Sequence, residues 1–375
     1  MRFLHTSDIH IGAKFAVLGP EYAREHREQI KRTFSKIIDI AIEEKVNLFL
    51  IAGDLFDSNS PSFYDIEFVK KELVRVSEAE IETCIIPGNH DFALSNKKAL
   101  GGEFFNIPKV HLFTDSAGSK IYFKDINVEV YAKANNTNKS SENPLVPAKS
   151  ARAAFKIIMA HGGVLGQARK PQWPIDPDSI EKSDADYVAL GDWHSFREET
   201  RGKVQAFYPG SPEMVSISQA GAGYVILGEV KNRVSRSIDL HRIKVGTKTV
   251  KNFDVNISEI DSAEKLKEDI KALADKNLVL NVNISGVNTD KLVFNPENIE
   301  EELENNFWRL RVNDNSSFPL DNLSEEDYPR IFVSGQFVEL MKEKIEKAET
   351  EKEKRLYEEV LQLGLLAFKD PKIIE

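Results

Sequence analysis

Cysteine is almost missing from this chain: Cys84, inside the run TCIIP, is the single one in 375 residues. That excludes a disulfide framework and leads us to expect a reducing compartment, the cytoplasm. Long apolar runs are missing as well. Nothing approaches the roughly 18 apolar residues of a membrane span, and the opening MRFLHTSDIH has no apolar core of a secretion signal. Neither a span nor a signal peptide is expected. A basic surplus is also absent: 50 Lys and Arg against 60 Asp and Glu leave a formal net charge of −10. Free-standing nucleic-acid binders usually carry the opposite sign. Two features temper that exclusion. A carboxylate-rich metal site counts as negative until its cations are included. Acidic clusters such as Glu297 to Glu304 also lie mostly late in the chain. Internal repeats are lacking. What remains is ample for folding: 41% hydrophobic residues support a core, and the length calls for two or three domains.

The stretch that organises the chain is LFLIAGDLFD, Leu48 to Asp57. Leu48 to Ile51 reads as a buried strand in a sheet covered on both faces. Gly53 lets the backbone turn sharply and presents Asp54 just past the strand's carboxyl end, where α/β sheets bind ligands. The same theme recurs along the chain. Arg2 to Ser7 is a strand ending in Asp8-Ile9-His10. A helix from about Glu21 to Glu44 turns Ile30, Phe34, Ile37, Ile38, Ala41 and Ile42 inward. A second helix runs from about Ser62, behind Pro61, to Glu80, with Phe68, Val69, Leu73 and Val76 inward. Thr83 to Ile86 is a strand ending in Pro87-Gly88-Asn89-His90-Asp91. This β-α-β-α-β order is the pattern of an α/β sheet.

Short strands follow at Val110–Phe113, Lys120–Phe123 and Val128–Tyr131. The polar stretch Asn135 to Ser150 reads as a solvated loop. Phe155 to Ala160 delivers His161-Gly162-Gly163, and Tyr187 to Leu190 delivers Gly191-Asp192-Trp193-His194. Further strands are expected at Gln205–Tyr208, Tyr224–Leu227 and Ser237–Ile243, closing a first domain near Val245. Lys251 to Asn315 reads as a small α+β domain. Its strands are near Phe253–Ile257, Leu278–Ile284 and Phe307–Val312; its helices are Ser262 to about Asp275 and a short acidic one near Glu300. Tyr328 to Phe368 is helical, with one stripe of Phe337, Met341 and Ile345 and another of Leu356, Val360, Leu363 and Ala367. Thr350 with Glu353 fits a capping box, so two helices are expected.

Five clusters thus stand behind strands: Asp8-x-His10, Gly53-Asp54, Gly88-Asn89-His90-Asp91, His161-Gly162 and Gly191-Asp192-x-His194. Their donors are carboxylate, amide and imidazole, a set for Mn²⁺, Fe²⁺ or Zn²⁺. The lack of thiolates argues against structural zinc. Two ions about 3.5–4 Å apart share a carboxylate, activate a water and stabilise charge on a phosphoryl group. Asp54 is the natural bridge. Taken singly, an Asp or His is more often a cap or loop residue; the ordered set behind β-like runs is what points to chemistry.

This order resembles that of the calcineurin-like metallophosphoesterases over residues 1 to about 245. Within them the chain is similar to the SbcD-type DNA repair nucleases, through RFLHTSDIHIG, DLFD and Tyr208-Pro209-Gly210-Ser211-Pro212. The resemblance implies a four-layer α/β/β/α sandwich (1–245), a small α+β capping domain (246–318) and a C-terminal helix-loop-helix (319–375). It implies one metal held by Asp8, His10, Asp54 and His194, and a second held by Asp54, Asn89, His161 and Asp192. His90 would steady the scissile phosphate and assist the leaving oxygen, with Asp91 orienting His90. Asp57 reads as a loop residue or supporting group, and His5 as a core histidine. The family's usual final motif is Gly-His-x-His; Asp192 stands where its first histidine would be. If this shorter, charged side chain binds, oxygen-preferring Mn²⁺ should gain over Zn²⁺; if it does not reach, the second site is weak or completed by water.

The cofactors implied are two divalent ions, Mn²⁺ first, with Fe²⁺, Zn²⁺ or Mg²⁺ as alternatives. The partners implied are DNA, as double-stranded ends or single strands, an SMC-like coiled-coil ATPase of the SbcC type, and a second copy of the chain. The expected activity is metal-dependent hydrolysis of DNA, as exonuclease or endonuclease. Two other classes compete. One is a phosphodiesterase or phosphatase of small molecules, which has no need of the extra domain and helices. The other is a weakly catalytic scaffold subunit, against which the near-complete donor set argues.

Overall fold

The computed structural model describes residues 1–15, 20–92, 106–149, 153–166, 171–217, 220–232, 237–286, 294–316 and 328–369. Two units form: Met1–Val250 and Lys251–Glu375. In the first unit the strands are β1 (Arg2–Thr6), β2 (Leu48–Ala52), β3 (Glu82–Ile86), β4 (Val110–Leu112), β5 (Ser119–Phe123), β6 (Val128–Ala132), β7 (Phe155–His161), β8 (Gly163–Val164), β9 (Pro174–Ile175), β10 (Tyr187–Gly191), β11 (Arg197–Glu198), β12 (Gln205–Tyr208), β13 (Tyr224–Asn232) and β14 (Ser237–Lys244). Its helices are α1 (Pro20–Glu43), α2 (Phe63–Glu78) and α3 (Pro177–Glu181).

β2 shows why two sheets stack here. All of its residues are buried. Side chains alternate across a strand. Phe49 and Ile51 therefore join the core beneath α1 and α2, with Phe34, Ile37, Val69 and Leu73. Leu48, Leu50 and Ala52 face the other way and meet Val128, Val130, Phe155, Ile157 and Met159 of a second sheet. Each such side chain contributes about 1.5–3 kcal/mol by leaving water. β7 repeats the arrangement: Phe155, Ile157 and Met159 enter the inter-sheet core, while Ile158 and Ala160 turn to an outer core with Ile175 and Ile180.

The first sheet runs β14-β13-β1-β2-β3-β4 and the second β11-β12-β10-β7-β6-β5. β1 to β4 are parallel, as are β6, β7, β10 and β12. The expected sandwich is thus present. Its fourth layer is thin among the described residues: α3, the short strands β8 and β9, and the segment carrying Leu145 and Ala148. α1 begins and ends one residue before the expected helix. Ser62 caps α2, its hydroxyl accepting from the Asp65 N–H.

In the second unit β15 (Thr249–Asn256), β16 (Asp275–Ser285) and β17 (Phe307–Asp314) form a sheet. It packs with α4 (Ala263–Lys271) and α5 (Pro296–Leu303) around Leu266, Ile270, Leu280, Val282 and Ile299. α4 stops short of the expected Asp275, because a tight turn through Ala272–Ala274 delivers Asp275 into register with Phe307. α6 (Val333–Glu346) and α7 (Glu351–Lys369) carry a separate cluster of Val338, Met341, Ile345, Leu361 and Leu365. Thr350 caps α7 by accepting from the Glu353 N–H. The stripe expected to run through Leu356, Val360 and Leu363 is the outward one, with exposures of 53%, 39% and 55%. The inward face is one position over, at Leu361 and Leu365. No described helix is long and apolar enough to cross a membrane.

One buried carboxylate ties the first unit together. Glu213 accepts from Thr33 Oγ1 on α1 at 3.2 Å, from Thr247 N and Oγ1 at 2.7 and 2.6 Å, and from Lys248 N at 3.3 Å. Replacing it would remove the acceptor of the buried Thr33 hydroxyl and of the Thr247 and Lys248 donors. We expect Glu213→Ala to cost on the order of 3 kcal/mol in urea unfolding; a loss under about 0.5 kcal/mol would show that water replaces the carboxylate freely.

Candidate metal centre

The parallel strands of both sheets end at one place. The loops after β1 and β2 are zipped by backbone hydrogen bonds: Asp8 N to Gly53 O, His10 N to Asp54 O and Ile11 N to Leu55 O, each 3.0 Å. From the second sheet, His161 Nδ1 donates to Ala52 O at 2.9 Å. Close approach demands glycine at two positions. Gly53 has φ +92, and a Cβ there would lie 2.1 Å from His161 Nδ1. A Cβ on Gly191 would lie 1.9 Å from Ala52 O. Asp8, His10, Asp54 and Asp192 have φ of 53, 53, 50 and 102, uncommon for non-glycine residues. Such strain gathers where function over-determines the backbone.

The nominated donors converge in two overlapping sets. In the first, His10 Nε2 lies 3.3 Å from His194 Nε2 and 3.6 Å from Asp54 Oδ2, and His194 Nε2 lies 3.9 Å from Asp8 Oδ1. In the second, His161 Nε2 lies 2.8 Å from Asn89 Oδ1, 3.4 Å from Asp54 Oδ2 and 3.9 Å from Asp192 Oδ1. Atoms bound at about 2.0–2.2 Å to a common ion stand roughly 3–3.6 Å apart. The His10–His194, His10–Asp54 and His161–Asp54 pairs fall in that range, with Asp8 and Asp192 at 3.9 Å just beyond it and Asn89 at 2.8 Å just below it. Asp54 Oδ2 belongs to each. Its other oxygen, Oδ1, accepts from the His90 N–H at 2.9 Å.

The electrostatics agree with the geometry. Burial disfavours the protonated form of His10, yet the Asp57 hydrogen bond and the charges of Asp54 and Asp8 raise its pKa. At His161 burial is likewise outweighed, by Asp54, and the pKa rises well above 6.5. Burial pushes the Asp54 pKa up, but His161 and His10 hold it below the usual carboxylate range. The pocket therefore favours positive charge at the points where the donors meet. His194 differs: burial leads, lowering its pKa to about 4 and keeping it neutral, the form that ligates.

Supporting contacts set the tautomers. Ala52 O can only accept, so His161 carries its proton on Nδ1 and turns Nε2 to the centre. Asp57 Oδ1 lies 3.0 Å from His10 Nδ1 and does the same for His10. Asp57 is thus a supporting group of the site. Asp91 departs from expectation. Its carboxylate accepts from Gly88 N at 2.7 Å and Phe56 N at 3.1 Å, stapling the loops after β2 and β3. What faces His90 Nδ1 is the Asp57 carbonyl, at 3.2 Å. Burial, then the Asp54 charge, raise the Asp91 pKa to about 6. His5 is buried, with Nδ1 2.9 Å from Tyr187 Oη.

Three further residues were not foreseen. Asn135, read as the start of a solvated loop, is fully buried and donates to His161 O at 3.0 Å. Gln172 Oε1 accepts from Asn89 Nδ2 at 3.2 Å, which aims the Asn89 oxygen at His161. Ser211 N donates to His194 O at 3.0 Å, so the Pro-Gly-Ser turn after β12 backs the last histidine. Hydrogen bonds between such distant positions leave no local signal in the sequence.

A stacked pair of α/β sheets gathers carboxylates, imidazoles and an amide at its strand ends, a donor set that could hold divalent cations. The family of the calcineurin-like phosphoesterases matches residues 1–196, and the chain belongs to it. It is accordingly a metal-dependent hydrolase, with groups of side chains that could hold divalent cations. The chain is 30% identical over 257 residues to the uncharacterized metallophosphoesterase YhaO of Bacillus subtilis, covering 64% of this chain and 61% of that relative. It is 27% identical over 342 residues to the DNA double-strand break repair protein Mre11 of Sulfolobus acidocaldarius, covering 86% and 85%. It is 27% identical over 339 residues to Mre11 of Sulfurisphaera tokodaii, covering 87% and 82%.

Removing the Asp57 contact with Asp57→Ala should weaken the first ion by roughly 10–100-fold in calorimetric titration. Unchanged affinity would show that His10 is aimed by packing alone.

Proposed function

We propose that this chain is a DNA phosphodiesterase of the SbcD type, working with two Mn²⁺ ions. The observation that carries the reading is the shared Asp54 oxygen between two donor sets, with a half-exposed His90 beside them. His90 and His10 rings meet edge-to-face at 4.9 Å, and the His90 side chain is 44% exposed. The likeness to Mre11 proteins over most of the chain supports DNA as substrate.

Asp8, His10, Asp54 and His194 would hold one ion; Asp54, Asn89, His161 and Asp192 the other. Ions bound there supply Lewis acidity toward phosphoryl oxygens and make a bound water acidic. The chain's own part is positioning and proton handling. The Asp57 carbonyl takes the Nδ1 proton of His90 as a hydrogen bond, so Nε2 faces outward. From there His90 steadies the phosphate and assists proton transfer to the leaving oxygen. The Asp91 staple fixes the loop that carries it. Asp192 replaces a nitrogen donor with an oxygen, which supports Mn²⁺ over Zn²⁺. With a net charge of −10, much of the DNA affinity has to come from a partner.

The test pairs end-labelled DNA with bis-p-nitrophenyl phosphate, in Mn²⁺ or Zn²⁺, using the wild type, Asp54→Asn and Asp192→His. DNA cleavage should fall about 10²-fold or more in Asp54→Asn, and Asp192→His should gain Zn²⁺ affinity relative to Mn²⁺. Turnover of the small ester alone would make this a small-molecule esterase. Turnover of neither would make it a scaffold. An unchanged metal preference in Asp192→His would remove position 192 from the ligand set.

For the C-terminal helices we propose docking to the coiled coil of an SMC-like ATPase. The outward stripe Leu356, Val360 and Leu363 supports it, being spaced for one face of a helix. Val360→Glu with Leu363→Glu should abolish co-purification with such an ATPase while helicity by circular dichroism is kept; retained capture would refute the assignment.

A further inference from the structure

Arg242 lies on β14, the edge strand of the first sheet, and is exposed. Its guanidinium carbon is 4.0 Å from the ring centroid of Phe196 and 4.1 Å from that of Tyr224. Tyr224 belongs to the adjacent β13, two residues from Ile226, the register partner of Arg242. Phe196 comes from the loop beyond β10 and packs on Phe207 of β12, with ring centroids 6.0 Å apart. Its backbone is fixed by donation from Phe196 N to Gly221 O at 3.1 Å. A ring on β13 and a ring from the loop just before β11 therefore hold one guanidinium.

Two observations give that contact a direction. The first is the state of the donors. Arg197 spends its side chain on Glu199 at 2.6 Å, Arg201 on Glu199 at 3.1 Å, and Arg75 on Asp39 and Glu72. Arg242 makes only its two ring contacts among the described residues. Stacking engages the faces of a guanidinium and leaves its N–H edge open, a planar fork that matches phosphate oxygens. The second is position. Phe196 is two residues past His194, at most about 7 Å of extended chain. A nucleotide advances about 3.4 Å along a duplex axis, so a strand cleaved at His194 reaches Arg242 within a few nucleotides.

We propose that Arg242, seated on Phe196 and Tyr224, binds a backbone phosphate of the nucleic-acid strand a few nucleotides from the scissile one. The subsite rests on the nuclease reading and adds to it a requirement for chain length. A small diester cannot reach it, and a strand of several nucleotides does. Phe196 and Tyr224 are positioning residues here; the phosphate contact is the arginine's.

The experiment uses the full chain with Mn²⁺, oligonucleotides lengthened stepwise from a dinucleotide, and bis-p-nitrophenyl phosphate, for the wild type, Arg242→Gln and Arg242→Lys. The readout is the ratio of oligonucleotide to small-ester kcat/KM, so any loss of folded enzyme cancels. In the wild type this ratio should climb with length. In Arg242→Gln the climb should shrink about tenfold, mostly through KM, and the slope of log affinity against log salt should fall by about one. Arg242→Lys should restore the salt slope but only part of the KM, since an ammonium does not stack as a planar fork. Identical length dependence and salt slope in Arg242→Gln would overturn the subsite and leave Arg242 as edge packing, with the nuclease reading intact. A wild type that turns over the small ester and no oligonucleotide would overturn the nuclease reading itself, and the subsite with it.

Discussion

One carboxylate oxygen, Asp54 Oδ2, stands 3.6 Å from Nε2 of His10 and 3.4 Å from Nε2 of His161. These imidazoles belong to different sheets. For the oxygen to reach both, the strands must end together and the backbones must nearly touch. Gly53 and Gly191 permit that touch, one beneath His161 and one beneath the Ala52 carbonyl. The alternating burial of β2, which feeds one core with Leu48 and Leu50 and another with Phe49 and Ile51, keeps the sheets in that relation. Packing and chemistry are thus joined through the few residues that follow β2.

The arrangement carries its own opposing terms. Left-handed backbone at Asp8, His10, Asp54 and Asp192 costs of order 1–3 kcal/mol per residue. Buried carboxylates repel one another, and Asp91 shows it in a pKa near 6, set by burial and then by Asp54. Hydrogen bonds offset part of this: the ladder between the first two loops, the Asp91 staple, and the Asp8 carboxylate accepting from Asp192 N at 3.0 Å. Divalent cations would answer the remainder, since the field at His10 and His161 already favours positive charge.

Much of this was legible in the sequence because the relevant signals are local. A buried run that stops at Gly-Asp, or at Gly-Asn-His-Asp, announces both a strand and its tip. The donor clusters therefore fell to strand ends by reading alone, and an α/β sheet followed from helices alternating with those strands, while the two-sheet sandwich came from the family resemblance. Other features were not legible, for physical reasons. Asn135, Gln172 and Ser211 act through single hydrogen bonds to partners 26, 83 and 17 positions away, and such bonds impose no periodicity. Asp91 neighbours His90 in sequence, yet its side chain turns to backbone donors. In α7 two apolar stripes lie side by side, and periodicity cannot say which one faces α6. Leu361 and Leu365 do, and Leu356, Val360 and Leu363 do not.

The donors of each set meet across a long span of chain: His10 and His194 of the first are 184 positions apart, and Asn89 and His161 of the second are 72. Contacts of such separation form late, because their loop closure has to be met before they reward the chain. β1, β2 and β3 can pair from neighbouring segments, so that part of the first sheet is able to take shape with Asp8, His10 and Asp54 of the first set and Asp54 and Asn89 of the second in place. His161 arrives with β7, and Asp192 and His194 follow β10. During synthesis, then, the second constellation waits for residue 192 and the first for residue 194, and both wait for the second sheet to close on the first. A nascent chain that stops short of Asp192 holds neither set of donors entire.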